Sequence, residues 1–223
     1  MKGFNYRNKL DAIPGAIFQL ITRYPVLFGL KAIAGLDIEG VNKLNDAPTN
    51  DGIIFAANHT TELDGFLIPA SIPIHRFHKT FHPVTREAAF YKDKGLRGNI
   101  YAHGLLFYCM GAFPAYAGKQ NYKRSLWNQV NILEDDGVVL MFPEGKAQSK
   151  KTKAKGGTGY LAMHTQTPVI PLYANWSNVL ERNACIRIGS PLSPPKPKNT
   201  SDTIETAKEF SKKILSEIYN LQK

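Results

Sequence analysis

Short apolar runs alternate along this chain with stretches of helical periodicity, and that alternation constrains the fold more than any other feature. Runs near residues 52–57, 80–85, 110–115, 137–142, 168–174 and 184–188 have the length of strands, whereas 64–72, 95–107, 121–135 and 157–166 read as helices. The alternation predicts an α/β fold with a mostly parallel or mixed central sheet flanked by helices. The ends of the strands would then carry the chemistry. A chain of 223 residues is long enough for one sizeable core and short for two independent domains.

The first run, Gly52-Ile53-Ile54-Phe55-Ala56-Ala57, leads into Asn58-His59-Thr60-Thr61-Glu62-Leu63-Asp64. Histidine exchanges a proton near neutral pH, and an ionised carboxylate on one ring nitrogen fixes its tautomer and stabilises the imidazolium. On an uninterrupted helix, residues five apart lie about 140° apart around the axis, so His59 and Asp64 would not share a face. A turn must intervene: the strand would end near Ala57, His59 would sit in the loop, and Asp64 would face back from the first helical turn. A second run, 137–142, ends in Pro143-Glu144-Gly145, and a third, 168–174, follows the Gly-rich segment Lys155-Gly156-Gly157-Thr158-Gly159.

Asn58-His59-x4-Asp64, Gly111-Ala112-Phe113-Pro114, Phe142-Pro143-Glu144-Gly145 and Val169-Ile170-Pro171-Leu172 resemble, in order, the four blocks of the glycerolipid acyltransferase family, the type that acylates lysophosphatidic acid. The resemblance implies transfer of a fatty acyl group from acyl-CoA or acyl-carrier protein to a lysophospholipid of the 1-acylglycerol-3-phosphate type or a related acceptor. No bound cofactor and no metal are implied. His59 would be the general base and Asp64 its orienter. Glu144 would either bind the acceptor or hold the site together, and Gly145, Lys146 and Lys155 join it as candidate substrate-binding residues. The thioester carbonyl oxygen needs donors as it gains charge, and backbone amides after His59 or in the 156–159 segment are candidates. Pro171 reads as architectural, at an edge or irregularity of its strand.

The departures concern the acceptor. Relatives that bind glycerol phosphate carry one arginine shortly after the second block's proline and another one residue beyond Phe-Pro-Glu-Gly; this chain has Ala115-Tyr116-Ala117 and Lys146-Ala147-Gln148 there. Lys119, Lys146, Lys150 and Lys155 offer charge without the planar fork of arginine. A noncatalytic lipid- or membrane-binding protein on the same fold is the alternative that this loss raises. A serine hydrolase would need a Gly-x-Ser-x-Gly elbow, which the chain lacks.

Lys and Arg number 28 against 18 Asp and Glu, a formal charge of +10 that favours anionic partners. The basic cluster from Lys146 to Lys155 contains no aromatic residue, which argues against nucleic acid and leaves lipid headgroups or a phosphorylated or acidic acyl carrier. Cys109 and Cys185 fit neither a disulfide scaffold nor a Cys-rich metal site and point to a reducing compartment. His75, His78 and His82 have the spacing of metal ligands, but Pro73 and Pro83 flank them, so a shared helical face is not expected.

At the amino terminus, residues 13–36 are rich in Ile, Leu and Phe, with Arg23 and Lys31 among them, and Pro25 is expected to break the stretch near Tyr24. Two short helices of this kind suit an anionic membrane interface, and the resemblance places them at its cytoplasmic side as a peripheral, membrane-facing pair. The same pattern fits helices that only cover the core. Asp11, Pro14 and Arg23 disfavour a cleavable signal. The expected division is 1–40 for interfacial helices and 41–223 for the α/β acyltransferase domain. A stiff Pro191–Pro197 connection precedes a last amphipathic helix whose stripe runs from Ile204 to Leu221.

Overall fold

The computed structural model describes residues 4–46, 51–73, 77–87, 90, 104–116, 121–147, 153–176, 181–196 and 203–222. Among these, seven strands form one sheet: β1 (Asp37–Glu39), β2 (Ile53–Ala57), β3 (Phe81–Arg86), β4 (Phe113–Ala115), β5 (Val138–Met141), β6 (Val169–Asn175) and β7 (Cys185–Ile188). Their order is β1-β7-β6-β2-β5-β3-β4. All neighbouring pairs are parallel except β6 with β7, so the sheet is mixed, as expected.

Every residue of β2 and β5 is buried, the mark of strands covered on both faces. Alternate side chains enter two cores. Ile53, Phe55, Ala57, Val138 and Leu140 join one, and Ile54, Ala56, Val139 and Met141 join the other. The helices are α1 (Ile13–Ala34), α2 (Asp64–Ser71), α3 (Leu105–Cys109), α4 (Tyr122–Ser125), α5 (Trp127–Glu134), α6 (Gly157–Thr165) and α7 (Thr203–Asn220). The first core takes Leu27 from α1 and Ile68 from α2. The second takes Val130 from α5, Leu161 from α6 and Phe210 from α7. Helices α6 and α7 approach closely at Gly159, where an added Cβ would lie 2.1 Å from the Ala207 carbonyl oxygen. Ser211 Oγ accepts the Gly159 N–H at 2.8 Å.

Several expectations change. Residues 95–103 of the expected 95–107 helix lie outside the described residues, and the segment that follows forms the short α3. The expected 121–135 helix is interrupted at Leu126, with φ −110° and ψ 22°. Strand β1 was not expected; it has only three residues, and its edge pairing to β7 carries no long apolar run.

The amino-terminal pair is one helix instead of two. Pro25 lies inside α1 on an exposed position, and the helix continues because tertiary contacts hold both halves. Before the proline, Gln19 donates to the Phe81 carbonyl at 2.7 Å and accepts the Phe81 N–H at 3.0 Å. Arg23 donates to the carbonyls of Pro69 at 3.0 Å and Phe77 at 3.1 Å, and after the proline Leu27 is buried. Desolvation lowers the Arg23 guanidinium to about 10. Gly15 lets the helix touch Gly111, since a Cβ there would stand 2.4 Å from the Gly111 Cα.

His82, one of the three spaced histidines, is a core residue. Its Nδ1 donates to the Gly111 carbonyl at 2.8 Å, and its ring meets Tyr6 and Phe113. His78 is exposed, and His75 lies outside the described residues. Desolvation by burial lowers the His82 pKa from 6.5 to about 4. The unfolded chain therefore takes up this proton first as pH falls, so stability is complete above about 6.5 and is lost progressively towards about 4. The shift corresponds to roughly 3 kcal/mol. Thermal unfolding of the native protein at pH 7.5 and 4.5 is expected to show this loss, and His82→Gln is expected to remove that share of the pH dependence.

Candidate active site

Parallel pairing sets Ala56 of β2 opposite Met141 of β5, so the loops leaving these two strands emerge together. The β2 strand stops because Asn58 takes over its pairing with a side chain. Asn58 Nδ2 donates to the Ala174 carbonyl and its Oδ1 accepts the Ala174 N–H, both at 2.8 Å. Occupying β6 in this way frees the backbone after Asn58 to turn towards α2.

Asp64 begins α2 and is fully buried. Its Oδ2 lies 2.9 Å from His59 Nδ1 and accepts the N–H groups of Thr60 at 2.6 Å and Thr61 at 2.9 Å. Its Oδ1 accepts the Thr61 hydroxyl at 3.0 Å and the Trp176 indole N–H at 2.9 Å, with the Thr60 hydroxyl at 3.4 Å. A carboxylate that only accepts requires the proton on His59 Nδ1, which leaves Nε2 to exchange one. The imidazole stacks on Phe142, ring centroids 4.2 Å apart, so its plane is fixed as well.

Glu144 is also buried, at 2 % exposure. Its Oε2 accepts the His59 N–H at 3.1 Å, and its Oε1 accepts the hydroxyl of Tyr219 from α7. These bonds put its carboxylate against the loop that carries His59. Gly145 follows with φ +73°, and Lys155 crosses it so closely that a Cβ would meet the lysine side chain at 2.7 Å. The left-handed φ favours glycine, and a side chain there would also have to displace the end of the Lys155 side chain.

A cavity of ≈ 660 Å³ opens beside His59. Val84, Phe107, Met110, Ala112, Met141 and Phe142 give it apolar walls, while Arg86, Lys146 and Lys155 bring cations. Lys146 and Lys155 were expected; Arg86 was not. Arg86 ends β3, donates to the Gly145 carbonyl at 3.1 Å and lies over the Phe90 ring at 5.2 Å. Its position at the carboxyl end of an expected strand was the signal available for it. Desolvation, then the charges of Arg86 and Lys146, lowers the Lys155 pKa. Lys119 and Lys150 lie outside the described residues.

Backbone donors are partly committed. Thr60 and Thr61 serve Asp64, and Gly159 serves Ser211, so these amides do not face a substrate. Gly157 and Thr158, in the first turn of α6, line the cavity, where first-turn amides have no intrahelical acceptor. Trp176 and Tyr219 escaped the sequence reading because each reaches the site from a distant part of the chain.

Comparison with known proteins bears on the family and the fold. The family model described as Acyltransferase matches residues 39–175. No curated protein matches the chain. Among solved structures, the chain is similar to the crystal structure of the 1-acyl-sn-glycerophosphate (LPA) acyltransferase PlsC from Thermotoga maritima. The TM-score is 0.54 at 16% identity, over 95% of this chain and 90% of that one.

Trp176→Phe keeps an aromatic plate and deletes only the indole donor to Asp64. It is expected to lower the unfolding free energy by about 1–3 kcal/mol, as measured by denaturant titration near neutral pH, because a buried acceptor loses a partner.

Proposed function

The chain belongs to the acyltransferase family, and we propose that it moves a fatty acyl group from acyl-CoA or acyl-carrier protein to the hydroxyl of a lysophospholipid-type acceptor. The observation that carries this reading is the His59–Asp64 pair opening on an apolar cavity with cations on its wall. His59 Nε2 removes the acceptor's hydroxyl proton as the oxygen attacks the thioester carbonyl. The C–S bond then breaks, and the imidazolium returns the proton to the departing thiolate. Asp64 stabilises the imidazolium throughout, and Glu144 holds the backbone of His59. The amides of Gly157 and Thr158 are the donors assigned to the carbonyl oxygen as it gains charge. The apolar walls take the acyl chain.

Arg86, Lys146 and Lys155 are assigned to an anionic headgroup. Their mutual repulsion is relieved when an anion sits among them, and Arg86 contributes the guanidinium fork that positions 115–117 and 146–148 lack. A chain whose charge reader sits on β3 is expected to differ in acceptor preference from strict lysophosphatidic acid enzymes. Labelled acyl-CoA or acyl-carrier protein, incubated with lysophosphatidic acid, lysophosphatidylglycerol and lysophosphatidylethanolamine, tests both points. His59→Ala is expected to reduce transfer by about 10²–10⁴-fold in folded protein. Full activity in that variant overturns the mechanism.

The reading also places the protein on an anionic membrane surface, at its cytoplasmic face. Lys9–Ala34 is long and apolar enough to cross a membrane by length and composition. Its bonds to the core support a surface position instead. The face turned away from the core carries Leu10, Ile13, Ile17, Leu20, Ile21, Tyr24 and Phe28, and Phe28 is 75% exposed. Exposed Leu105 and Leu106 of α3 add to it, next to Met110, which lines the cavity. Leu27, inside the expected 13–36 stretch, is instead buried in the core. Replacing Ile17, Leu20 and Phe28 with serine is expected to weaken co-sedimentation with anionic liposomes while leaving the thermal midpoint nearly unchanged. Unchanged binding would assign those side chains no membrane role.

A further inference from the structure

The matched family segment ends at residue 175, yet Glu144, inside that segment, is held by a residue beyond it. Tyr219 lies in the last turn of α7, and its hydroxyl donates to Glu144 Oε1. The other oxygen of the same carboxylate accepts the His59 N–H at 3.1 Å. We infer that Tyr219 is a positioning residue for the catalytic histidine, acting through Glu144 from the carboxy-terminal helix. This inference rests on the acyl-transfer reading.

Glu144 is buried, and a buried carboxylate needs donors for both oxygens to keep one orientation. Without the phenol, Oε1 has lost its partner from α7, and the carboxylate is free to rotate away from the His59 amide. The His59 backbone then loses its hold on Glu144, while Asp64 and Phe142 still hold the ring. Burial, followed by the bond and charge of Glu144, raises the Tyr219 pKa well above the ordinary tyrosine range, so the hydroxyl remains a donor through the working pH range. Helix α7 is placed for this reach by contacts that do not involve the hydroxyl. Ala207 and Ser211 meet Gly159, and Ile214 and Ile218 are fully buried. Tyr219 also sits against Tyr173 of β6, ring centroids 6.4 Å apart.

Tyr219→Phe removes the hydroxyl and keeps the ring, so it separates positioning from packing. The expected result is a roughly tenfold fall in kcat, about the worth of one charge-assisted hydrogen bond, with KM for the acyl donor little changed and the thermal midpoint lowered by no more than the loss of that one bond. In a Glu144→Ala background the same substitution is expected to add nothing, because both changes cut one connection. The ¹⁵N-resolved amide signal of His59 is expected to move upfield in Tyr219→Phe as its hydrogen bond lengthens. A native kcat together with an unmoved His59 signal overturns the inference. So do losses that multiply in the double variant, which would make the hydroxyl's effect independent of Glu144. If native protein transfers no acyl group to any acceptor, the functional reading fails, while the His59 signal still decides whether Tyr219 acts on the loop.

Discussion

The burial of the Asp64 carboxylate is the constraint on which the rest of the site depends. An isolated charge at that depth would be very costly, and the structure meets it with donors from three places: the His59 ring, the Thr60–Thr61 turn and the indole of Trp176. Each donor fixes something else. The turn amides set the path from β2 into α2, so the spacing of five residues becomes a contact that no straight helix allows. The indole ties that turn to the end of β6. Asn58 makes a second tie to the same strand, at Ala174. A single charged group thus registers a loop, a helix start and two strands, and the histidine's tautomer follows from that arrangement.

Helix α1 reverses the usual polarity of a surface helix. Toward the core it presents Gly15, Gln19, Arg23 and Leu27, and away from it a stripe of Leu, Ile, Tyr and Phe. Hydrogen bonds from Gln19 and Arg23 to the backbone carbonyls of Phe81, Pro69 and Phe77 hold its polar inner side, although Arg23 Nη2 is buried without a partner among the described residues. Leu27 adds an apolar contact, so the exposed stripe is not needed for attachment. A helix in water would gain by the opposite arrangement. The inversion is the physical content of the membrane reading, and it lies within one helix, so the same element can grip the core and face lipid.

The sheet was legible because parallel strands buried on both faces appear as continuous apolar runs, and six of the seven strands were located in this way. The His59–Asp64 pair was legible because its partners are close in sequence. The contacts that complete the site were not. Trp176 reaches Asp64 and Tyr219 reaches Glu144 across long stretches of chain, and neither carries a local pattern that says where it points. Tyr6 is similar: it is almost fully buried, its N–H bonds to Asn128 and its hydroxyl to Asp135, yet the amino-terminal arm around it has no periodicity to mark it. Pro25 misled for a physical reason. Its missing N–H and ring clash break an isolated helix, but a helix held on both sides of the proline by buried partners continues through it.

The Phe142–Gly145 loop shows how one short segment divides its work. Phe142 supplies the plate under the imidazole, Glu144 turns inward to the His59 amide, and Gly145 turns its carbonyl to Arg86 while Lys155 passes over its α-carbon. The inward carboxylate and the outward cations are kept apart by this turn. If Glu144 instead pointed into the cavity, it would neutralise part of the charge gathered by Arg86, Lys146 and Lys155. Its engagement by His59 and Tyr219 prevents that. The left-handed glycine is what allows the chain to change direction between the two roles, so the cation cluster and the histidine geometry depend on one backbone conformation.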